Sequence, residues 1–304
     1  MLASLPLRVA ATVMGLGLAA AGCTNASSAG GSTEPKDADS TTSASSGVDE
    51  DAAALLPADV KDKGVITVAM DASYPPFQYF ENDNKTIIGF DVDLSNALAA
   101  KLGIEAKQVN AGFDTILPGL AAEKYDMGES AFSVTPERAK SVDFVTYMNA
   151  GSGIAVKPGN PLDLEMDPAD LCGHKVAAQK GSLQGITQLP QISKDCEAAG
   201  EYPVDIRLYP SQNDANLALT SGRVDAVMAD SFALAYAGQL ANGAFELAPG
   251  EDYEPAPLGV ALPKGSDLKP AIEAALAALL QSGEYNEILE KWDLPLTSAP
   301  ETAS

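Results

Sequence analysis

Short apolar runs alternate with segments of helical periodicity through most of the chain. The predicted strands are GVITVAM (64–70), a stretch from Tyr125, KVAAQ (175–179), DIRLY (205–209) and RVDAVMA (223–229). The predicted helices are DVDLSNALAAKLG (91–103), DTILPGLAAEK (114–124), QNDANLALTSG (212–222), LKPAIEAALAALLQSG (268–283) and EYNEILEKW (284–292). This alternation predicts an α/β fold with mostly parallel sheets.

A weak internal repeat adds to this picture. LAAEKYDMGES (120–130) and LTSGRVDAVMA (219–229) carry a leucine, a basic residue and an aspartate at matching offsets, and each predicts a helix, a tight turn and a strand. Two copies of one unit suggest two similar lobes. Ligands of open α/β sheets bind at the carboxyl ends of the strands. The polar residues that follow these strands, Ser133 and Asp230 among them, are therefore candidate site residues.

The N-terminus has the pattern of an export signal. Arg8 precedes the 13-residue apolar run VAATVMGLGLAAA, which is too short to span a bilayer and is typical of a signal-peptide core. The sequence AAGC that ends at Cys23 resembles a bacterial lipobox. We therefore expect a signal peptide over residues 1–22 and a palmitate-bearing lipid on Cys23. An ordinary secretory signal with an incidental cysteine is the alternative.

The residues after Cys23 have little to bury. Residues 23–51 are rich in Ser, Thr, Gly and Asp, and predict a flexible linker before a globular part that starts near Ala52. The expected location is outside the cell, anchored by lipid to the outer face of the cytoplasmic membrane, at the cell surface or in a periplasm.

Charge and cysteine content exclude some classes of function. With 19 Lys and Arg against 42 Asp and Glu, and no basic run, nucleic acid is not an expected partner. If Cys23 carries lipid, Cys172 and Cys196 remain, and in an oxidising compartment they most simply form a disulfide. Two buried free thiols are the alternative. The single histidine, His174, has no partner ligands in sequence, so no metal or cofactor is expected.

Arg138 occupies an unusual place for one of so few cations. In SAFSVTPERAK (130–140), Thr135 predicts a helix N-cap and Pro136 the first helical residue, which makes Arg138 the third. A cation there faces the positive end of the helix dipole, at a cost of up to about 1 kcal/mol. Either a ligand anion offsets this charge, or Arg138 is a surface residue paired with Glu137 or Asp143.

Several motifs together resemble a known family. They are MDASYPPFQYF, GFDVDLSNALAAKLG, FDTILPGLAAEKYD, SVTPERAKSVDF, KVAAQKGSLQ, GRVDAVMAD and SGEYNEILEKW, in family order across residues 60–295. The chain resembles the extracellular solute-binding proteins of ABC importers, in the polar amino-acid subfamily. The resemblance implies the two-lobe, type II periplasmic-binding-protein fold with two crossover hinge strands, near NAGSG and EPAPLG. Lobe 1 would comprise 60–149 plus 257–297, lobe 2 would comprise 153–253, and 298–304 would be a tail.

The resemblance also implies how the backbone groups of an amino acid are held. Arg138 would pair with the α-carboxylate, since a guanidinium matches a carboxylate bidentately. Ser133 and, from lobe 2, Ser182 would add donors to that carboxylate. Asp230 and the carbonyl of Ala131 would bind the α-ammonium. The alternative for Asp230 is a strand-end aspartate that caps the next helix.

Other positions would contact the ligand's side chain. Tyr74 and Phe113 match aromatic positions that sandwich it, although either residue could equally be core. Asp71 and Gln179 lie where the family reads its distal end. An aspartate there favours a cationic amino acid over glutamine, and Glu129 lies near enough in sequence to add negative charge. Glutamate is disfavoured because a second ligand carboxylate would stay unpaired.

The expected function is therefore that of a monomeric substrate-binding component of an ABC importer. It would capture a polar, basic amino acid by hinge closure and deliver it to membrane permease subunits, without being an enzyme. Three alternatives remain open. One is a glutamine-binding protein, another is a prephenate-type dehydratase with Glu129 or Asp71 as its acid, and the third is a sensor that reports to a receptor.

Overall fold

A computed structural model describes residues 47–300, in which strands and helices alternate as the sequence predicts. The strands are β1 (Val65–Met70), β2 (Ser73–Tyr74), β3 (Gln78–Phe80), β4 (Ile87–Ile88), β5 (Glu105–Asn110), β6 (Met127–Ser133), β7 (Val142–Val156), β8 (Lys175–Gln179), β9 (Asp205–Tyr209), β10 (Ala226–Asp230), β11 (Glu246–Leu247) and β12 (Tyr253–Pro263). The α-helices are α1 (Glu50–Ala54), α2 (Ala58–Lys63), α3 (Phe90–Lys101), α4 (Phe113–Ala121), α5 (Leu189–Ala198), α6 (Gln212–Thr220), α7 (Ser231–Leu240), α8 (Lys269–Ser282) and α9 (Glu284–Lys291). Shorter turns are the 3-10 helices Arg138–Lys140, Pro168–Leu171 and Leu296–Ser298 and the π-helix Gln184–Gln188.

One large sheet runs through the described residues, with the strand order β5-β1-β6-β12-β7-β10-β8-β9, and β11 pairs with β7. A small second sheet has the order β2-β3-β4. Strands β5, β1 and β6 are parallel to one another, as are β10, β8 and β9. We call the half built on the first three strands lobe 1 and the half built on the last three lobe 2.

Two long antiparallel strands join these halves. Strand β7 pairs with β12 in a register from Val142↔Pro263 to Ser152↔Tyr253, and β10 then pairs with β7 on the lobe 2 side. The two predicted crossovers, NAGSG and EPAPLG, lie within these strands. The exact lobe boundaries given above stay a prediction.

The internal repeat has a structural counterpart. In lobe 1, Asp126 follows α4 and accepts the backbone N–H of Thr67 in β1 at 2.7 Å. In lobe 2, Asp225 follows α6 and accepts the backbone N–H of Lys175 in β8 at 2.9 Å. Each aspartate therefore fixes a helix–strand unit against the neighbouring parallel strand by the same contact.

Apolar periodicity predicts the core correctly. In β1, Ile66, Val68 and Met70 are fully buried, as a central parallel strand requires. In α3, Leu94 and Leu98 are likewise buried. The largest cluster of buried residues includes side chains of both lobes, while two smaller clusters lie one in lobe 2, around Ile192 and Met228, and one in lobe 1, around Ile116 and Phe132.

The helix predicted after Thr135 is the main error of local prediction. The structure has only a 3-10 turn over Arg138–Lys140, because β7 begins at Val142. Thr135 still acts as a cap, since its Oγ1 accepts the backbone N–H of Arg138 at 3.2 Å. A turn this short has almost no dipole. The placement of Arg138 must therefore be explained by tertiary contacts.

Some segments had no prediction or lie outside the described residues. The sequence patterns above do not predict strands β2 to β5 and β11 or helices α2, α5 and α7, and α1 begins within the last residues of the predicted linker. The predicted signal peptide, the lipid site Cys23, most of the linker and the end of the tail lie outside residues 47–300. Among the residues described, none of the helices combines the length and apolar character needed to cross a bilayer.

A disulfide joins Cys172, at the end of a 3-10 turn, to Cys196 in α5, with their Cα atoms 5.6 Å apart. It ties α5 to the turn before β8 in lobe 2.

We expect the double variant Cys172→Ala/Cys196→Ala to lose about 3 kcal/mol of unfolding free energy. The disulfide joins residues 24 positions apart in the sequence, and the loop that it closes restricts the unfolded chain. Urea denaturation of oxidised protein measures this loss. Wild type treated with reductant is the matched control and should lose a similar amount. An unchanged unfolding free energy in both samples would contradict a stabilising role.

Candidate functional site

A small pocket of about 10 Å³ lies between the lobes in this closed form. Most of the predicted site residues line it, and they are joined by others that the sequence did not single out. The lining comprises Tyr74, Phe113, Ser130, Ala131, Ser133, Gln179, Ser182, Leu183, Gln184, Gln212 and Asp230. The two remaining predicted residues, Asp71 and Arg138, contact this lining from behind.

The segment that presents Tyr74 is held by the start of α3. The first two N–H groups of α3, those of Phe90 and Asp91, donate to the carbonyls of Pro76 and Phe77, each at 2.8 Å. Gly89 makes this close approach possible, since a Cβ there would lie 2.2 Å from the carbonyl oxygen of Phe77. The turn between β2 and β3 is thereby fixed against lobe 1.

Arg138 is buried, with its side chain spanning the cleft. Its Nη1 donates to the carbonyl of Ser133 in lobe 1, and its Nη2 to the carbonyl of Gly181 in lobe 2, both at 2.8 Å. The guanidinium carbon lies 5.7 Å from the ring centres of both Phe113 and Phe132, a cation–π distance. Burial lowers the pKa of Arg138 to about 10, so the group stays charged at neutral pH.

Asp230 provides the opposite charge from lobe 2. Its Oδ2 accepts from the Tyr74 hydroxyl at 2.8 Å, and its Oδ1 accepts from Gln184 Nε2 at 2.9 Å. Burial raises the pKa of Asp230 to about 6, although these hydrogen bonds and the charge of Arg138 lower it. Asp230 also precedes α7, but its side chain makes no capping hydrogen bond there. The helix-cap alternative is therefore wrong.

Asp71 lies at the end of β1, beside the aromatic lining. Its Oδ2 accepts the backbone N–H of Phe113 at 2.9 Å and the Gln179 amide at 3.2 Å, so it too contacts both lobes. Burial raises the pKa of Asp71, while these two hydrogen bonds lower it. Ser182 Oγ accepts the backbone N–H of Gly185 at 3.0 Å, and a hydroxyl that accepts one bond is still able to donate another.

Ala131 has a backbone conformation that few side chains adopt, with a φ of 48°. The register between β6 and β12 shifts over this stretch, so the backbone of β6 leaves the ladder where it meets the cavity. The N–H of Ala131 donates to Asp91 Oδ2 at 2.9 Å. Asp91 therefore holds the exposed edge of this bulge in place from within lobe 1.

The cluster around Asp91 is acidic and buried. Tyr147 donates to Asp91 Oδ1 at 3.0 Å, and the charges of Asp91 and Glu129 act on one another. Burial raises the pKa of Asp91 to about 7, against the effect of its hydrogen bonds, and raises that of Glu129 well above its usual range. Neither carboxyl oxygen of Glu129 has a hydrogen-bond partner among the described residues. Burial therefore disfavours a charge on Glu129, which does not line the cavity.

Further contacts hold the lobes together around the cavity. Lys180 of lobe 2 forms an ion pair with Asp114 of lobe 1 at 2.7 Å, and Gln212 donates its backbone N–H to Ser73 Oγ at 3.3 Å. Together with the bonds of Tyr74 and Arg138, these contacts describe a closed cleft. Around this cleft, Arg138 and Asp230 are buried side chains of opposite charge.

Sequence reasoning missed three buried polar residues of this region. Asp91 was assigned to an amphipathic helix, and Gln184 and Gln212 follow no motif that indicates a ligand. The sequence signal that could have indicated Asp91 is an acidic residue on the apolar face of a predicted helix. Within residues 47–300, no group of His, Cys, Asp and Glu side chains is arranged to hold a metal ion.

Comparison with known proteins gives consistent results. Residues 66–295 match the family model for bacterial extracellular solute-binding proteins, family 3. The arginine-binding protein ArgT of Corynebacterium glutamicum is 34% identical over 241 residues, 79% of this chain and 78% of that protein. The L-arginine-binding protein of Pseudomonas aeruginosa is 35% identical over 252 residues, 78% of this chain and 90% of that protein.

Solved structures agree with the sequence comparison. An ancestral arginine-binding protein bound to arginine superposes with a TM-score of 0.67 at 34% identity, covering 75% of this chain and 98% of its own. An ancestral arginine-binding protein bound to glutamine gives a TM-score of 0.66 at 34% identity, covering 75% of this chain and 97% of its own. These matches show the two-lobe fold of periplasmic binding proteins.

The buried acids give the ligand-free protein a definite pH dependence. Since Asp91, Glu129 and Asp230 have pKa values raised in the folded state, folding takes up protons, and stability is lost as the pH rises through about 6 to 7. Urea midpoints measured at pH 5, 6, 7 and 8 should therefore fall with rising pH. Glu129→Gln should reduce this slope, whereas the exposed control Glu251→Gln should not. Equal slopes in all three proteins would contradict burial as the cause.

Proposed function

The chain belongs to the bacterial extracellular solute-binding proteins, family 3, and we propose that it captures a cationic amino acid, arginine foremost, for an ABC importer. It binds the ligand between its lobes and delivers it to permease subunits in the membrane. Lipid on Cys23 anchors the monomeric protein to the outer face of the cytoplasmic membrane, at the cell surface or in a periplasm.

The observation that carries the proposal is a pair of opposite buried charges, one from each lobe, beside one pocket: Asp230 lines it, and Arg138 bonds the carbonyl of Ser133 in its lining. Arg138 of lobe 1 pairs with the α-carboxylate in this proposal, because a guanidinium has five donors and, among the described residues, two carbonyls accept from it. Asp230 of lobe 2 has lone pairs left to accept the α-ammonium. Ala131, on its bulge, supports the same site.

Charge balance supports a cationic side chain. The charged residues of the predicted site are Arg138, Asp230 and Asp71, while Asp114 is paired to Lys180 and burial raises the pKa of Glu129. Their sum is −1, which an amino acid with a net charge of +1 neutralises. Glutamine would leave Asp71 unpaired, and glutamate would add a further anion, both of which are costly in a buried site.

Aromatic residues complete the case for a long, flat side chain. Tyr74 and Phe113 both line the cavity, and the backbone N–H of Phe113 holds Asp71 in place. A guanidinium suits a space between aromatic faces and a carboxylate, since it stacks and forms planar paired hydrogen bonds. The names of the two arginine-binding relatives point in the same direction.

Glutamine is the second candidate ligand. The Gln179 amide already bonds Asp71, so an amide side chain is compatible with this end of the cavity. An ancestral arginine-binding protein similar to this chain has been solved with glutamine bound.

A dehydratase of the prephenate type has less support. The named relatives are binding proteins, and Glu129, one of the two candidate acids, does not line the cavity. We propose no catalytic role.

Binding and closure are one process in this proposal. A ligand that contacts Arg138 and Asp230 at once interacts with both lobes only when they are closed, so it shifts the population to the closed form. The crossover strands β7 and β12 are the segments about which the lobes would move.

Titration calorimetry on purified protein, stripped of ligand by unfolding and refolding, tests the function. We expect micromolar binding of L-arginine and weaker or no binding of glutamate, with lysine, ornithine, histidine and glutamine completing the series. Arg138→Ala should weaken arginine binding by about 3 kcal/mol, roughly 100-fold, because the ligand carboxylate would be buried unpaired.

The control for that variant is Arg223→Ala, which removes an exposed arginine from lobe 2. Binding of arginine by Arg138→Ala as tight as that of the control would contradict the assignment of the carboxylate site. Binding of none of these amino acids by wild type would reject the function.

Ligand preference should depend on Asp71. We expect Asp71→Asn to weaken arginine binding by roughly 30- to 100-fold, since a desolvated ion pair is lost, and to change glutamine binding by much less. The exposed variant Asp59→Asn controls for the change in net charge, and calorimetry with both ligands measures the ratio. An unaltered ratio would remove Asp71 from the specificity site.

A further inference from the structure

A chain of buried hydrogen bonds leads away from Asp230 to residues that do not line the cavity. Gln184 Nε2 donates to Asp230 Oδ1 and to Ser152 Oγ, both at 2.9 Å. Ser152 Oγ in turn donates to Gln188 Oε1 at 2.7 Å. Gln184, Ser152 and Gln188 are only 3%, 2% and 2% exposed. Three buried polar side chains in one row are costly unless each has partners, and here each has them.

Donor and acceptor chemistry fixes the direction of this row. Ser152 has a single proton, which goes to Gln188, so its oxygen must accept from Gln184. The amide nitrogen of Gln184 has two protons and divides them between Ser152 and Asp230. A reversed Gln184 amide would place its oxygen against the carboxylate of Asp230, which is repulsive. The acceptor on Gln188 therefore determines, through Ser152, which face Gln184 turns to Asp230.

The two glutamines belong to one unusual turn. Gln184–Gln188 is π-helical and leads directly into α5. π-Helical turns are rare in proteins overall, and those that occur are often found at functional sites. The turn packs tightly on β8, since a Cβ on Gly185 would lie 2.8 Å from the carbonyl oxygen of Gln179. Both glutamines contact Ser152 from this fixed turn.

Ser152 lies where three strands meet. It belongs to the crossover strand β7, opposite Asp230 of β10 on one side and opposite Tyr253 of the crossover strand β12 on the other. Beyond Tyr253 the register of β12 shifts, and Glu254 has a left-handed φ of 42°. Gln188 Nε2 is 3.5 Å from Glu254 Oε2, a long contact that extends the row to this irregular part of β12.

We propose that Ser152 and Gln188 are positioning residues for the ligand's α-ammonium, acting through Gln184 on Asp230 and linking that carboxylate to both crossover strands. This inference rests on the proposed function and assigns residues to it that never touch the ligand. Without the acceptor on Gln188, the proton of Ser152 is no longer directed away from Gln184, so the amide nitrogen of Gln184 is held less firmly toward Asp230. The loss should appear only for ligands that use Asp230.

Two ligands separate this role from a purely structural one. L-arginine has the α-ammonium, and 5-guanidinopentanoate is the same molecule without its α-amino group. We expect Gln188→Met, which keeps the length of the side chain and removes its acceptor, to weaken L-arginine binding about tenfold, the size of a typical coupling within a buried network. Binding of 5-guanidinopentanoate should change less than twofold.

Gln191→Met is the matched control, since Gln191 is exposed in α5 and its amide bonds only Asp195 at 2.9 Å. It should change neither affinity. Ser152→Ala is a second, smaller change that interrupts the same row of hydrogen bonds. If Gln188→Met does not fold, Ser152→Ala tests the proposal in its place. It should show the same selective loss.

The outcomes are distinct. Equal weakening of both ligands by Gln188→Met and Ser152→Ala would show a general structural role and overturn the proposal, as would no weakening of either. Failure of wild type to bind L-arginine would overturn the proposed function itself, and this inference with it.

Discussion

Burial of opposite charges between two lobes is the constraint on which the rest of this structure depends. A guanidinium and a carboxylate withdrawn from water must be met by dipoles or by opposite charge, or the closed cleft would be unstable. Arg138 is met by the carbonyls of Ser133 and Gly181, and Asp230 by Tyr74 and Gln184. These partners come from both lobes, so satisfying the charges and closing the cleft are the same event.

A second set of buried acids serves the scaffold and not the cavity. Asp91 holds the N–H of Ala131 where β6 leaves its ladder, and burial raises the pKa of Glu129, next to it in the core. Lobe 1 thus presents a bulged backbone to the cavity without presenting extra negative charge. This separation matters for specificity, because a charged Glu129 would change the net charge that a ligand has to neutralise.

The fold and much of the site could be predicted from the sequence where the signal is local. Strands β8 and β9 and helix α3 follow directly from periodicity. Asp126 and Asp225, which make equivalent contacts in the two lobes, occupy matching positions of the internal repeat. The helix after Thr135 could not be judged correctly, because the start of β7 limits it to one turn. Gln184 and Gln188 gave no signal, since a glutamine in a polar sequence is usually solvated.

By itself, the sequence determined the order of elements, the placement of scarce positive charge at Arg138, the acid at the end of β10 and the even pair of cysteines. These are properties of composition and of spacing along the chain. Only the tertiary structure decided that burial raises the pKa of Glu129, that Asp91 holds Ala131, and that Gln184, Ser152 and Gln188 form one row behind Asp230. The physical reason is that protonation and hydrogen-bond direction depend on burial and on partners far apart in the chain, which local patterns do not encode.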